Sequence, residues 1–185
     1  MLIVIIGPMF AGKTTELIRR IKRYQLSRKK TIIYKPSIDV RYSIENVNSH
    51  DGLKYPARII PNDEKGISIL ASEYKFYDVI GIDEIQFFPS SIVYLIDQIS
   101  YEKDVIAAAL NLDYRGKPWE TVEKLLPYAD QIITVSAVCY ICGKEATRTI
   151  RISEIKDRIL VGGEENYKPV CRDHFIELSK KLYQP

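Results

Sequence analysis

Short apolar runs alternate with amphipathic segments along roughly the first three quarters of the chain. The runs consist mainly of branched and aromatic residues, which is typical of strands buried on both faces of a sheet. Alternating strands and helices predict an α/β domain with a parallel sheet and helices on both faces. The predicted strands are residues 2–6, 31–34, 58–60, 77–82, 105–110 and 131–135. One predicted helix begins near residue 15, and three further helices are predicted at residues 64–72, 90–100 and 120–126.

A glycine-rich motif lies between the first strand and the first helix. Residues 7–14 read GPMFAGKT and fit the pattern G-x-x-x-x-G-K-[ST]. In such a motif Gly7 and Gly12 let backbone N–H groups turn towards phosphate oxygens, Lys13 reaches the β and γ phosphates, and Thr14 offers a hydroxyl to Mg²⁺. The flanking strand and helix argue against a glycine-rich turn that only starts a helix. The predicted nucleotide contacts are Gly7, Pro8, Met9, Phe10, Ala11, Gly12, Lys13, Thr14 and Thr15.

Two carboxylates follow the predicted strand 77–82, at Asp83 and Glu84. An acidic pair at a strand end is common in proteins, but downstream of a phosphate-binding motif it predicts roles in metal binding and proton transfer. The first carboxylate then holds the Mg²⁺ shell, and the second is available as a base. The loop 111–119 follows strand 105–110 and is expected at the same edge of the sheet, where open α/β sheets bind ligands.

The pattern changes at about Ser136, where a C-terminal segment with metal-ligand spacing begins. Cys139 and Cys142 form one C-x-x-C pair, and Cys171 and His174 form a second pair at equal spacing. These pairs contain all three cysteines of the chain and match a tetrahedral structural Zn²⁺ site. A redox pair does not explain Cys171 and His174, and three ordinary buried thiols are the other alternative. Between and after the pairs, the sequence predicts a hairpin of residues 146–152 and 158–161, a flexible loop 162–167 and a helix 175–183.

Composition and charge narrow the function only a little. The chain has 185 residues, which is long enough for one domain with a small appendage. Its net charge of +3 does not point to a particular class of partner. The basic run between residues 19 and 30 fits either a nucleic-acid contact or, as we favour, the solvated C-terminal end of a helix. No run approaches the roughly 18 apolar residues of a membrane span, and Met1 leads directly into the first strand. We therefore expect a soluble, intracellular protein without a disulfide framework.

Seven segments, taken together and in order, resemble the zinc-containing cytosolic and bacterial type of thymidine kinase, and the resemblance covers nearly the whole chain. The phosphate motif alone is generic, but the joint order is very specific. The segments are GPMFAGKT at 7–14, DVRYS at 39–43, SHDG at 49–52, DEIQFF at 83–88, DYRGKPW at 113–119, AVCYIC at 137–142 and GGEENYKPVCRDH at 162–174.

The resemblance implies a fold, a reaction and a set of catalytic residues. It implies a RecA-like P-loop domain at residues 1–136 and a zinc-binding lasso domain at 137–185. ATP would transfer its γ-phosphate to the 5′-hydroxyl of thymidine with Mg²⁺ bound. Glu84 resembles the family's general base, and Arg41 an arginine that approaches the transferring phosphate. The Mg²⁺ shell would include Thr14, Asp83 and Asp39.

The resemblance also implies a thymine pocket closed by a lasso near residues 160–167, whose two ends the zinc site anchors. The family commonly has Asp where Asn111 stands and Phe where Trp119 stands. The implied pocket residues are Met9, Phe87, Leu110, Tyr114, Thr149, Leu160 and Tyr167.

Family relatives further imply a cytoplasmic homotetramer with dTTP as a candidate feedback inhibitor, and no nucleic-acid or membrane partner. Two alternatives remain at this point. The chain could be a P-loop ATPase in which Glu84 activates water, or a zinc-dependent nucleic-acid-binding protein. Acidic residues in the zinc segment, including Glu145 and Glu154, argue against the second.

Overall fold

The fold consists of a large sheet with flanking helices, followed by two short antiparallel pairs. The computed structural model describes residues 1–38, 46–48 and 54–182. Its strands are β1 (Leu2–Gly7), β2 (Thr31–Pro36), β3 (Asn46–Asn48), β4 (Lys54–Pro56), β5 (Arg58–Ile60), β6 (Val79–Ile82), β7 (Asp104–Leu110), β8 (Gln131–Thr134), β9 (Ala137–Val138), β10 (Glu145–Ala146), β11 (Arg148–Arg151) and β12 (Tyr167–Val170). Its α-helices are α1 (Lys13–Leu26), α2 (Glu64–Glu73), α3 (Ile92–Ser100), α4 (Glu120–Leu125) and α5 (Arg172–Leu182).

Within the described part of the chain, the large sheet has the strand order β5-β2-β6-β7-β1-β8, and all its neighbouring strands run parallel. Strand β7 therefore separates β1 from β6. The carboxyl ends of parallel strands meet at one edge of a sheet. The residues after β1, β6 and β7 consequently come together, and this edge carries the candidate site.

Successive residues of β1 enter different cores, because side chains alternate between the faces of a strand. Leu2 and Val4 pack in a cluster with buried residues of α2, α3 and α4. Ile3 and Ile5 pack with Leu17 and other buried residues of α1 on the opposite face. Helices thus cover both faces, and the predicted α/β domain with a parallel sheet and helices on both faces is confirmed.

A third, smaller cluster lies in the C-terminal part of the chain. Ala146, Ile150 and Val170 are among its buried residues, and Phe10 and Ala11 of the glycine-rich motif pack against it. The two parts of the chain are therefore in direct contact at the motif. The division at residue 136 stays a prediction, although the large sheet ends at Thr134.

The predicted hairpin in the C-terminal part is wrong. Strand β11 pairs antiparallel with β12, so that Thr149 lies opposite Pro169 and Arg151 opposite Tyr167. Residues 158–161 form no strand, and Tyr167, which we expected in a flexible loop, begins β12. The loop 152–166 joins these two strands. A short apolar run at 158–161 suggested a strand, but its residues line a cavity instead.

Other element predictions are confirmed with shifted ends. The closing helix begins at Arg172 rather than at residue 175. Residues 46–48 and 54–56, for which no strand was predicted, form the short antiparallel pair β3 and β4. Among the described helices, none combines the length and the hydropathy that crossing a membrane requires.

Candidate active site

The phosphate-type loop between β1 and α1 has the backbone that its glycines predict. A Cβ atom on Gly7 would lie 2.3 Å from the carbonyl oxygen of Val135, so only glycine fits there. Gly12 has a φ of +76°, which favours glycine, and it immediately precedes α1. The buried Lys13 ammonium donates to the Pro8 carbonyl oxygen at 2.6 Å. The loop thus surrounds the Lys13 ammonium and leads into the N-terminus of α1. A helix N-terminus favours the binding of anions such as phosphate.

The first carboxylate after β6 contacts this loop directly. The Thr14 hydroxyl donates to the Asp83 carboxylate, with distances of 3.2 Å to Oδ1 and 3.1 Å to Oδ2. Asp83 is buried. A hydroxyl oxygen beside a carboxylate provides the hard oxygen donors that Mg²⁺ prefers.

The second carboxylate, Glu84, sits on an uncommon backbone. Its φ of 51° and ψ of 43° lie in the left-handed region, which non-glycine residues rarely adopt. The Gln86 side-chain amide donates to Glu84 Oε2. At its other end, the same amide accepts a hydrogen bond from the buried Leu110 N–H at 3.1 Å. Gln86 therefore fixes Glu84 relative to the end of β7.

A mostly apolar cavity opens beside Glu84, and small-molecule sites are typically concave and lined mainly by apolar side chains. All seven predicted pocket residues line it, and they come from both parts of the chain. Apolar and aromatic side chains dominate its walls. The lining residues are Met9, Glu84, Phe87, Leu110, Leu112, Asp113, Tyr114, Trp119, Thr149, Arg158, Ile159, Leu160, Val161 and Tyr167.

A buried arginine organises the loop 152–166 that closes one side of this cavity. Arg151 is 2% exposed, and its guanidinium donates to the carbonyl oxygens of Ile155 at 3.0 Å and Arg158 at 3.2 Å, and also to that of Asp157. It also donates to the Tyr167 hydroxyl at 2.5 Å. Its Cζ atom lies 3.8 Å from the centroid of the Tyr114 ring. Planar guanidinium geometry suits this combination of stacking and several hydrogen bonds.

The two cysteine-containing pairs meet in space as the sequence predicts. The four ligand atoms of Cys139, Cys142, Cys171 and His174 lie within 4.8 Å of one another. Cys142 Sγ and Cys171 Sγ are 3.9 Å apart, and His174 Nδ1 is 3.5 Å from Cys139 Sγ and 3.2 Å from Cys171 Sγ. A tetrahedral zinc site has ligand separations of roughly 3.5–3.8 Å, so this cluster is compatible with zinc.

The electrostatics of Cys139 also suit a metal ligand. Burial raises the pKa of the Cys139 thiol, but N–H groups of Cys171, Cys142 and Ile141 outweigh this effect and lower the pKa to about 6. The thiolate is the form that binds metals.

The structure leaves two predicted site residues unplaced and adds others. Asp39 and Arg41 lie outside the described residues. Sequence reasoning assigned no role to Gln86, Asp113, Arg151 or Arg158. Only Gln86 had a local signal, as a polar residue in an apolar segment after the carboxylates. Asp113 and Arg158 contact each other across 45 residues, and Arg151 contacts Tyr114 of the other part of the chain, so local sequence did not reveal these contacts.

Fold and site together define a P-loop nucleotide-binding protein, with an apolar cavity beside its phosphate loop and carboxylates, and a Cys₃His cluster. Comparison with known proteins is more specific. The chain belongs to the thymidine kinase family, because the family model "Thymidine kinase" matches residues 1–175.

Curated relatives agree with this assignment. Over 182 residues the chain is 48% identical to a thymidine kinase of Pyrobaculum aerophilum, covering 95% of this chain and 98% of the relative. It is 45% identical over 182 residues to a thymidine kinase of Thermococcus kodakarensis, covering 94% and 92%. A thymidine kinase of Pseudothermotoga lettingae is 37% identical over 182 residues, covering 97% of each chain.

Proposed function

We propose that this protein transfers the γ-phosphate of ATP to the 5′-hydroxyl of thymidine, giving dTMP and ADP in deoxynucleoside salvage. One observation carries the proposal: Met9 of the phosphate loop and Glu84 after β6 both line the same apolar cavity. A triphosphate in the loop and a nucleoside in the cavity would meet at these two residues. Such positioning contributes much of the catalysis in phosphoryl transfer.

On the triphosphate side, the loop 7–15 would hold the phosphates through its backbone N–H groups, other than Pro8, which has none, and Met9, which donates to Thr149. Lys13 would exchange its contact with Pro8 for phosphate oxygens. Thr14 and Asp83 would hold Mg²⁺, with Asp39 as a third candidate from the sequence. Mg²⁺, when bound, neutralises charge on the phosphates. Arg41 is proposed to stabilise the charge of the transferring group, as a cation does in this chemistry.

On the acceptor side, Glu84 would take the proton of the 5′-hydroxyl while the hydroxyl oxygen attacks the γ-phosphorus and ADP leaves. The hydrogen bond from Gln86 supports this role, because it orients the carboxylate towards the cavity edge rather than leaving it to rotate. The proposed base therefore depends on the end of β7 for its position.

The base of the nucleoside would lie among the aromatic and apolar walls, with Phe87, Leu110 and Tyr167 as packing surfaces. Thr149 supplies a polar contact. Its oxygen accepts from the Met9 N–H at 3.0 Å, so its own proton is available for an acceptor on the pyrimidine ring. Tyr114 donates to the Lys156 carbonyl oxygen at 2.8 Å and so holds the loop 152–166 near the base.

Cys139, Cys142, Cys171 and His174 would hold a structural Zn²⁺. The cluster is closed by four protein ligands, as structural sites are, and its role would be to anchor β12 and α5 beside the cavity. A homotetramer and a cytoplasmic location are carried over from the family resemblance. Inhibition by dTTP is proposed because that nucleotide could place its base in the cavity and its phosphates in the loop.

Phosphoryl transfer from ATP, measured as ADP release across a panel of nucleosides, tests the function. ADP release should require thymidine, and purine deoxynucleosides should not replace it. Equal ADP release without any nucleoside would contradict the proposal and identify an ATPase in which Glu84 activates water.

A further inference from the structure

Arg158, in the loop 152–166, makes three contacts with one short segment of the other part of the chain. Its Nε donates to Asp113 Oδ2 at 3.0 Å, and its Nη2 donates to the Pro118 carbonyl oxygen at 2.8 Å. Its Cζ lies 4.6 Å from the centroid of the Trp119 ring. Hydrogen bonding and cation–π stacking thus act on one guanidinium.

The segment 113–119 that receives Arg158 is closed by its own hydrogen bonds. Asp113 is buried, and its Oδ1 accepts from the N–H groups of Arg115 at 3.0 Å and Lys117 at 2.9 Å. The Asp113 N–H donates to the Lys117 carbonyl oxygen at 2.8 Å. One carboxylate oxygen therefore holds the turn, and the other is presented to Arg158. The acceptor is built independently of the arginine, which favours a preformed receptor over an incidental surface contact.

The two arginines of this region differ in how firmly they are held. Arg151 is buried and joins the loop to its own strands, whereas the Arg158 side chain is 46% exposed. An exposed guanidinium can exchange its protein partners for water at little cost. The contacts of Arg158 can therefore open without disturbing the contacts of Arg151.

Opening these contacts would change the cavity itself. Ile159, Leu160 and Val161 follow Arg158 directly and line the cavity, as do Asp113 and Trp119, which Arg158 contacts. Arg158 thus ties one cavity wall to another, across the boundary between the loop and the P-loop part of the chain.

We propose that Arg158 is a positioning residue that fastens the loop 152–166 over a bound nucleoside and releases it when the nucleoside enters or leaves. This inference rests on the proposed function. The contacts of Arg158 described above are with the segment 113–119 and not with the phosphate loop or Glu84, so it acts through the cavity wall. Trp119 supplies the stacking surface, since indole binds cations better than a phenyl ring does.

The test compares Arg158→Met with Arg158→Lys in the full-length protein. Arg58→Met is the matched control, because Arg58 is 52% exposed and also pairs with a carboxylate, Glu73, at 3.1 Å. Steady-state kinetics with thymidine and ATP are measured, together with amide hydrogen exchange of residues 152–166 in saturating thymidine. Melting temperature and zinc content are recorded for each variant.

For Arg158→Met we expect the thymidine KM to rise about five- to twentyfold, while the ATP KM changes less than about twofold. The value of kcat should not fall, because the reacting groups are unchanged. Amides near residues 159–161 should exchange faster. The thymidine KM of Arg158→Lys should lie between the values for Arg158→Met and wild type. An ammonium keeps the charge, but it lacks the two-pronged donor geometry and the planar stacking surface of a guanidinium. Arg58→Met should match wild type in all of these measurements.

An unchanged thymidine KM and unchanged exchange in a folded Arg158→Met protein would overturn the inference. If that variant does not fold, Arg158→Lys decides, and a wild-type KM there would equally overturn it. Wild-type protein that releases ADP without thymidine would instead contradict the proposed function, so the two failures are distinguishable.

Discussion

The Thr149 hydroxyl accepts a hydrogen bond from the Met9 N–H at 3.0 Å, joining the second strand pair of the C-terminal part to the phosphate loop. Asn111 adds a neighbouring link, because its side-chain amide donates to the Thr147 carbonyl oxygen at 3.1 Å. Strand β11 and the loop that would hold the triphosphate are therefore directly linked. These two hydrogen bonds connect the nucleoside side of the site to the phosphate side.

The hydrogen bond between Thr149 and Met9 predicts different results for two substitutions of Thr149. Thr149→Val keeps the shape but leaves the Met9 N–H without its acceptor, at a cost of about 1–3 kcal/mol. We expect the thymidine KM to rise about tenfold and the ATP KM to rise less. Thr149→Ser keeps the hydroxyl and should stay near wild type. Equal kinetics for the Val and Ser variants would show that the hydroxyl has no role.

Glu84→Gln tests the proposed base. A neutral amide cannot take the proton of the 5′-hydroxyl, so we expect kcat to fall about 10²- to 10⁴-fold with little change in the thymidine KM. Glu120→Gln is the control, since that carboxylate lies exposed on α4 and pairs with Lys124. A Glu84→Gln rate within about threefold of wild type would mean that another group removes the proton.

Gln86→Leu tests the contact that positions Glu84. The change removes the acceptor of the buried Leu110 N–H and the donor to Glu84, so we expect lower kcat and a loss of about 1–3 kcal/mol in the free energy of unfolding. Urea unfolding and initial rates measure the two effects. Gln98→Leu, at an exposed position of α3, should change neither.

Gln86→Glu separates the two hydrogen bonds of Gln86. A carboxylate at this position keeps an acceptor for the Leu110 N–H but loses the N–H donor to Glu84. We therefore expect kcat to fall while the free energy of unfolding falls less than in Gln86→Leu. A wild-type kcat in folded Gln86→Glu would show that the hydrogen bond from Gln86 does not position Glu84.

Cys142→Ser tests the metal cluster. Losing one of four ligands should release zinc and loosen β12 and α5, so thymidine affinity should fall more than ATP affinity. Zinc content by mass spectrometry and binding by calorimetry measure this. Tyr140→Phe, an exposed change between the two cysteines, is the control. Retained thymidine affinity in zinc-free protein would show that the cluster does not support the cavity.

Much of the site could be predicted because its chemistry is local in sequence. The phosphate motif, the carboxylates after β6 and the two ligand pairs each lie within a few residues, and their spacing has a direct geometric meaning. The parallel sheet followed from buried apolar runs for the same reason. The partner of β11 could not be predicted, because strand pairing depends on which distant segment offers a matching face.

The sequence by itself determined the class of chemistry: a triphosphate loop, two carboxylates and a four-ligand cluster, each encoded by short-range spacing. Only the tertiary structure decided how these parts act together. Gln86 joins Glu84 to the Leu110 N–H at the end of β7, Thr149 contacts Met9 across 140 residues, and Arg158 contacts Asp113 across 45. Such contacts depend on the packing of separate elements, and packing is a property of the whole folded chain rather than of any one segment.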